Sequence, residues 1–149
     1  MVVAAADSRK DLTTTIHLTA LRSVESSLSR LIQESGPELT EVLNALADDA
    51  AMLVSLIGPS KGARFLLEPQ VTQIGRATTN EIFLDDVTVS RKHAQVAKSG
   101  KSYLLKDLGS LNGTYLNGEL VTEKILADGD ELQIGKYRMH FFQGGKVRA

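Results

Sequence analysis

The feature that most constrains the fold is a succession of short apolar runs, separated by turns rich in glycine and asparagine, which fills the chain after residue 51. The runs are Met52–Ile57, Ala63–Leu67, Val71–Ile74, Ile82–Leu84, Ala94–Ala97, Tyr103–Lys106, Thr114–Leu116, Glu131–Ile134 and Arg138–Phe142. The turns include Ser99-Gly100, Asn112-Gly113, Asn117-Gly118 and Asp128-Gly129-Asp130. Many short strands with such turns are typical of a β-sandwich or barrel. No long helical pattern separates the runs, so a parallel α/β sheet is not expected.

The chain before residue 51 has a different pattern, with apolar residues at helical spacing. One face of a predicted first helix carries Leu21, Val24, Leu28, Leu31 and Ile32. Gly36-Pro37 interrupts this pattern, and a second short helix is predicted from Glu38 to about Asp49. We therefore expect a mobile N-terminal tail at 1–20, a helical extension at 21–50 and an all-β domain at 51–145.

Composition narrows the class of protein further. The 149 residues include no cysteine, which excludes disulfides and a cysteine nucleophile and suits a reducing cytoplasm. No stretch approaches the ~18 apolar residues that a membrane span needs, and the apolar start lacks the preceding basic residues of a secretory signal. Residues 1–50 hold four basic and eight acidic residues, and residues 51–149 hold thirteen basic and ten acidic ones. These halves either attract each other or differ by chance, and neither indicates binding to nucleic acid.

The known catalytic arrangements are absent from the sequence. The three histidines, His17, His93 and His140, lack the spacing of a zinc site. There is no Gly-x-Ser-x-Gly motif and no phosphate-binding P-loop. Asp128 and Asp130 flank a glycine, but the offsets differ from those of a calcium loop, so a turn is the better interpretation. We therefore expect no enzyme activity, metal or cofactor, and a hydrolase that uses Asp or His is a remote alternative.

Polar residues gather instead in three predicted loops. These loops contain Gly75-Arg76, Ser90-Arg91-Lys92-His93 and the segment from Asp107 to Thr114. Loops at one end of a sandwich converge, so residues distant in sequence can form one site. Arginine forks and hydroxyl donors suit a phosphate ester, and an asparagine amide can hold an extended peptide. The pattern alone leaves two interpretations open: anion-binding loops, or turn residues with surface salt bridges.

The order and spacing of these motifs resemble those of the forkhead-associated (FHA) domain over roughly two thirds of the chain. The matches are Gly75-Arg76, Ser90-Arg91-Lys92-His93 (family pattern S-R-x-H), Asp107 with Ser110–Thr114 (pattern D-x-x-S-x-N-G-T), Gly118 and Gly129–Gly135. The resemblance implies an all-β fold, an FHA-type β-sandwich of about eleven strands, preceded here by the short helical or disordered extension. It also implies binding of phosphothreonine peptides.

Residue roles follow from the same resemblance. It implies that Arg76 and Ser90 contact the phosphate, that Arg91 adds charge, that Asn112 holds the peptide backbone and that Ser110 shapes or contacts the pocket. Gly75, His93, Gly113 and Thr114 are expected to be structural, with the glycine of the Asn-Gly turn at positive φ. Thr88 and Asn117 are weaker binding candidates.

A closer resemblance is carried by Ile82–Arg91 and Gly109–Tyr115. These segments are similar to a group of small actinobacterial FHA regulators that inhibit the 2-oxoglutarate dehydrogenase complex. In that group, phosphorylation of a tail threonine pair by a Ser/Thr protein kinase makes the tail bind its own FHA domain. Thr13, Thr14 and Thr15 are the candidate sites here, although Leu12 replaces the group's glutamate and His17 its aromatic residue.

The resemblance therefore implies three kinds of partner. The binding site would take phosphothreonine-containing proteins or the chain's own phosphorylated tail, a Ser/Thr protein kinase would phosphorylate the tail, and a 2-oxoglutarate dehydrogenase-type enzyme would be the regulated target. The alternative is a scaffold that has lost phosphate binding and acts through its helical extension. Both Arg76 and Ser90 are present, and a degenerate FHA scaffold often lacks them.

Overall fold

The structure, a computed structural model, describes residues 27–146 and 148. These residues fall into two compact units, one ending at Glu34 and the other beginning at Ser35. In the first unit, residues 27–34 are helical (α1). The predicted tail and the first residues of the predicted first helix lie outside the described residues. The predicted boundary between the helical extension and the all-β domain at residue 51 stays a prediction.

The second unit contains one helix and eleven strands. The helix, α2, is Pro37–Ala45 and ends about four residues earlier than predicted, because Leu46 leaves the helical region with φ −62° and ψ 132°. The strands are β1 (Ala51–Ile57), β2 (Arg64–Leu66), β3 (Val71–Gly75), β4 (Ile82–Phe83), β5 (Ala94–Ser99), β6 (Ser102–Asp107), β7 (Thr114–Leu116), β8 (Glu119–Val121), β9 (Glu123–Ile125), β10 (Glu131–Ile134) and β11 (Tyr137–Gln143).

The strands form two sheets. One sheet has the order β2-β1-β11-β10-β7-β8 and the other has the order β4-β3-β5-β6-β9. All pairs within them are antiparallel except β3 with β4, which is parallel. The prediction of an all-β sandwich of about eleven strands is confirmed.

Periodicity alone did not reveal strands β8 and β9. Each has three residues, and β9 is exposed along its whole length while β8 is exposed at two of its three positions. Both are edge strands of their sheets, so one side of each backbone has no neighbouring strand. Because no buried face selects apolar residues at every second position, the alternation that marks a strand is missing.

The core lies between the two sheets and draws on both of them. From the first sheet come Leu53 and Phe141, and from the second come Ile74 and Tyr103, all almost fully buried. The rings of Tyr103 and Phe141 meet at a tilted angle with centroids 5.4 Å apart. This shared core holds the sheets together, so the loops between their strands have a rigid base.

Helix α2 packs within the same unit as the sandwich. Its residues Leu39 and Leu43 are fully buried. The segment after the helix is bound to the sheets, since the backbone N–H of Gly144 donates to Ala50 O (2.8 Å) and the Tyr103 hydroxyl donates to Asp49 O (3.0 Å). None of the helices in the described part of the chain is long and apolar enough to cross a membrane.

We predict that Leu43→Ala lowers the free energy of unfolding by about 2–5 kcal/mol, because it removes a fully buried side chain and leaves a cavity. Equilibrium unfolding in urea measures this change. Leu66→Ala is the matched control, since Leu66 is 45% exposed and its truncation leaves no enclosed cavity. Equal losses in the two variants would show that α2 does not contribute to the core.

Candidate functional site

A buried histidine joins two of the predicted site loops. The backbone N–H of Ser90 donates to His93 Nδ1 (3.0 Å), so the ring proton lies on Nε2, which donates to Gly113 O (2.8 Å). The backbone of His93 also makes two hydrogen bonds: its N–H donates to Ile74 O (3.0 Å), and its carbonyl oxygen accepts the N–H of Leu108 (2.9 Å). His93 therefore connects the loop after β4 with the loop after β6.

The loop after β3 is held against the same segment by close backbone contact. A Cβ on Gly75 would lie 2.2 Å from Arg91 O, so only glycine fits at this position. The next N–H, that of Arg76, donates to Ser90 O (2.9 Å). Asn80 is buried, and its Nδ2 donates to Arg91 O and to Ala77 O, each at 2.8 Å. Arg76 and Arg91, whose backbones make these contacts, are exposed to solvent.

The loop between β6 and β7 folds around the Asp107 carboxylate. Its oxygens accept bonds from the backbone N–H groups of Gly109 (2.9 Å) and Ser110 (3.1 Å) and from the hydroxyls of Ser110 and Thr114. Partial burial acts to raise the pKa of Asp107, but these hydrogen bonds outweigh it and hold the pKa below its ordinary value. The loop geometry thus depends on a charged carboxylate.

The hydroxyls of Ser90 and Ser110 differ in whether they can donate a hydrogen bond to a ligand. Ser110 donates to Asp107 and accepts from the Gly113 N–H (2.9 Å), so its hydrogen is used inside the loop. Ser90 accepts from the Leu111 N–H (3.0 Å), and within the described part of the chain no acceptor takes its hydrogen. Ser90 is therefore the hydroxyl that can donate to a bound anion.

Two arginines and one asparagine are linked to Ser90 through the backbone: Arg76 donates its N–H to Ser90 O, Arg91 follows Ser90, and Asn112 follows Leu111, whose N–H bonds to Ser90 Oγ. The Arg76 side chain is 44% exposed and makes a loose ion pair with Asp85, with 3.7 Å between Nε and Oδ1. Arg91 is exposed. The exposed Asn112 donates from Nδ2 to Thr88 O (3.0 Å), which leaves its Oδ1 for a further partner. Loose pairing at the surface costs little to break, so both guanidinium groups can turn to an anion.

Asn117, the other weak candidate, lies in a different set of contacts. It has positive φ (51°) in the turn between β7 and β8. Its Nδ2 donates to Asp130 Oδ1 and its Oδ1 accepts from Glu131 N, both at 2.9 Å. Asp130 is the last residue of the β9–β10 connection and Glu131 the first residue of β10, and no described hydrogen bond links Asn117 to Ser90.

A pocket of about 280 Å³ opens beside Asn112. Its lining combines the Asp107–Gly113 loop with exposed apolar groups, among them Leu111 and Leu120. Groups of three or more His, Cys, Asp or Glu that could hold a metal ion do not occur among residues 27–146 and 148.

Sequence reasoning left four contributing residues out of the site: Asn80, Asp86, Asp107 and Lys136. Asp107 could have been included, because it is the first residue of the D-x-x-S-x-N-G-T pattern. Asn80 stands in a polar stretch, Thr78-Thr79-Asn80, that gives no sign of its burial. Asp86 and Lys136 are fifty residues apart in the sequence and form an ion pair, with 2.8 Å between Lys136 Nζ and Asp86 Oδ1. Only the tertiary structure brings them together.

Residues 72–135 match the family model described as the FHA domain. The chain belongs to the FHA-domain family, and the resemblance inferred from the motifs is confirmed.

Two curated relatives carry the similarity beyond the domain. The chain is 44% identical over 126 residues to "Oxoglutarate dehydrogenase inhibitor" from Corynebacterium jeikeium, covering 85% of this chain and 83% of the relative. It is 49% identical over 104 residues to "Glycogen accumulation regulator GarA" from Mycolicibacterium smegmatis, covering 70% of this chain and 66% of the relative.

Solved structures show the same likeness. "Mycobacterium tuberculosis EmbR in complex with low affinity phosphopeptide" superposes with a TM-score of 0.61 and 31% identity, over 67% of this chain and 26% of that one. A structure described as "Structural and functional analysis of phosphothreonine-dependent FHA domain interactions" has a TM-score of 0.59 and 32% identity, over 63% of this chain and 96% of that one.

We predict that Asp107→Asn destabilises the chain at pH 7 by about 1.5–3 kcal/mol, because hydrogen bonds to a charged acceptor are lost. The folded-state pKa is lowered, so the stabilisation by the carboxylate is present above about pH 4, the ordinary value for Asp, and is lost as pH falls further. Urea unfolding at pH 7 and pH 3 measures the difference between variant and wild type. It should shrink at pH 3, whereas exposed Asp85→Asn should change little at either pH.

Proposed function

We propose that this chain is a phosphothreonine-peptide-binding regulator that acts by binding and performs no catalytic turnover. The observation that carries the proposal is the Ser90 hydroxyl, whose hydrogen has no acceptor in the described residues. The Ser90 carbonyl accepts the backbone N–H of Arg76, Arg91 follows Ser90 in the chain, and both arginine side chains are exposed. A hydroxyl donor and two guanidinium groups match the three oxygens of a phosphate ester.

The neighbouring groups support a peptide as the carrier of that phosphate. Asn112 keeps its side-chain oxygen for a main-chain N–H, and the 280 Å³ pocket beside it can receive an adjoining side chain. The similar structures named for a phosphopeptide and for phosphothreonine-dependent interactions favour the same ligand. Ser110 then shapes the loop from within, since its hydrogen is bound to Asp107.

The partner enzyme is proposed from the relatives. One of them is named an oxoglutarate dehydrogenase inhibitor, and this chain spans most of its length. We therefore expect the target to be an enzyme of the 2-oxoglutarate dehydrogenase type, and a Ser/Thr kinase to control the regulator.

We predict that Arg76→Ala and Ser90→Ala each weaken binding of a phosphothreonine peptide at least about tenfold, because a hydrogen bond to a charged group contributes about 1.5–3 kcal/mol. The probe is a peptide mixture with phosphothreonine between degenerate flanks, titrated by fluorescence anisotropy beside its unphosphorylated twin. Arg64→Ala is the matched control, since Arg64 pairs with Glu38 on the surface.

Wild type should bind only the phosphorylated mixture, and Arg64→Ala should bind as wild type does. Equal binding of the two mixtures by wild type would contradict the proposed function. Unchanged binding by Arg76→Ala would contradict the assignment of the site.

A tail switch is the regulatory part of the proposal. Thr13, Thr14 and Thr15 lie outside the described residues, so the proposal rests on their sequence and on the site. A phosphate adds about −1.5 to −2 charge, which favours docking on the two arginines. A flexible tether gives an effective concentration in the millimolar range, so even a weak site is filled from within the same chain.

We predict that phosphorylation of the tail in vitro shifts the backbone amide resonances of Arg76, Ser90 and Asn112. The shifts should persist on dilution, because the contact is intramolecular, and should be absent in a variant with all three threonines changed to alanine. Two-dimensional NMR of the full chain measures both. A phosphorylated tail that leaves the three resonances unmoved would contradict the switch.

A further inference from the structure

The loop between β4 and β5 is bound to a turn of the opposite sheet. In this loop the Asp86 carboxylate accepts the Lys136 ammonium at 2.8 Å, and Lys136 lies in the turn between β10 and β11. The backbone N–H of Lys136 donates to Thr88 Oγ1 (3.2 Å). Two bonds, one from a side chain and one from the backbone, therefore connect the sheets beside the proposed peptide site.

The Thr88 hydroxyl has no hydrogen left for a ligand. It donates its single hydrogen to Asp86 Oδ2, and the same oxygen accepts the backbone N–H of Thr88 (2.9 Å). Its own oxygen accepts from Lys136. Since a threonine hydroxyl has one donor, it cannot also donate to a phosphate, in contrast with Ser90.

The Asp86 carboxylate remains charged in this arrangement. The hydrogen bond from Lys136, followed by those from Thr88, holds the pKa of Asp86 far below its ordinary value. An uncompensated carboxylate on this loop would repel a bound phosphate, and the adjacent ammonium offsets that repulsion.

The β10–β11 turn approaches the loop as closely as the backbone allows. A Cβ on Gly135 would lie 2.4 Å from Thr88 Oγ1 and 2.9 Å from Val89 Cγ2, and this glycine has φ of +60°. The position of the loop is therefore determined by direct contact as well as by hydrogen bonds.

The backbone of Thr88 leads from this contact to the peptide site. Its carbonyl oxygen is the acceptor for Asn112 Nδ2 at 3.0 Å. A shift of this carbonyl would turn the Asn112 amide, and with it the oxygen that faces an incoming peptide. Ser90 follows two residues later on the same loop.

We propose that Thr88, held by Asp86 and Lys136, is a positioning residue that orients the Asn112 amide for peptide binding from the opposite sheet. This inference rests on the proposed function, and it assigns the weak candidate Thr88 a role without contact to the ligand. The Asp86–Thr88–Lys136 group is called the loop anchor below.

The test compares Thr88→Val, which keeps the shape but removes the hydroxyl, with Thr88→Ser, which keeps the hydroxyl. Neither changes the charge of the chain. Two quantities are measured on the full-length protein: affinity for the degenerate phosphothreonine peptide mixture, and the side-chain ¹⁵N amide resonances of Asn112 without peptide. The second measurement does not require binding, so it separates failure of this inference from failure of the proposed function.

Thr88→Val should shift the Asn112 amide resonances and weaken binding about three- to tenfold, as the loss of one or two hydrogen bonds implies. Thr88→Ser should restore both quantities to near the wild-type values. Weaker binding with unmoved Asn112 resonances would overturn the inference, because Thr88 would then contact the ligand itself. Shifted resonances with unchanged affinity would also overturn it, as would wild-type behaviour in both measurements.

A second pair of variants covers the case in which Thr88→Val does not fold. Lys136→Met removes the ammonium from the loop anchor, and Lys146→Met removes the same charge from the exposed residue beyond the far end of β11. Lys136→Met should shift the Asn112 resonances and Lys146→Met should not. Identical effects on Asn112 in the two variants would refute the loop anchor. If wild type bound no phosphopeptide, the proposed function would be wrong. The Asn112 resonances, measured without peptide, would still show whether Thr88 orients the Asn112 amide.

Discussion

The site depends on one buried side chain, the imidazole of His93. One ring nitrogen accepts the Ser90 N–H and the other donates to Gly113 O, so a single planar group sets the distance between two loops. No other common side chain presents an acceptor and a donor on opposite sides of a rigid ring. The bond to Ser90 holds the backbone that carries the Ser90 hydroxyl, and the bond to Gly113 holds the backbone next to Asn112.

Three carboxylates, those of Asp85, Asp86 and Asp107, belong to the loops of the proposed anion site, and each has hydrogen-bond donors or a cation as partners. Asp107 is surrounded by backbone and hydroxyl donors, and Asp86 is paired with Lys136. Asp85 pairs loosely with Arg76 and is mostly exposed. A ligand that bound at Arg76, as proposed, would have to outcompete Asp85 for this guanidinium, which favours a dianionic phosphate over a single carboxylate.

The fold was predictable from the sequence, for reasons that differ between elements, whereas the roles of the site residues stay predictions. Strands facing the core were visible because burial selects apolar residues, at every second position in β10 and in an almost continuous run in β11. Edge strands β8 and β9 were not visible, because their residues face solvent. The prediction of the site rests on the FHA motifs, since Arg76, Ser90 and Asn112 match the spacing of the family patterns, which periodicity alone cannot interpret. The role of Asn80 has no local signal, because it depends on a bond to the backbone carbonyl of Arg91 in the following loop as well as on one to nearby Ala77 O.

By itself, the sequence determined the class of fold, the family and the set of groups available to bind a phosphopeptide, because these follow from local patterns of side chains. Tertiary structure decided which hydroxyls remain able to donate. Ser110 donates its hydrogen to Asp107 and Thr88 donates its own to Asp86, whereas Ser90 accepts a bond and finds no acceptor for its hydrogen among residues 27–146 and 148. Three similar hydroxyls thus acquire different capacities, because a hydroxyl has only one hydrogen and its direction is set by neighbours that only folding brings together.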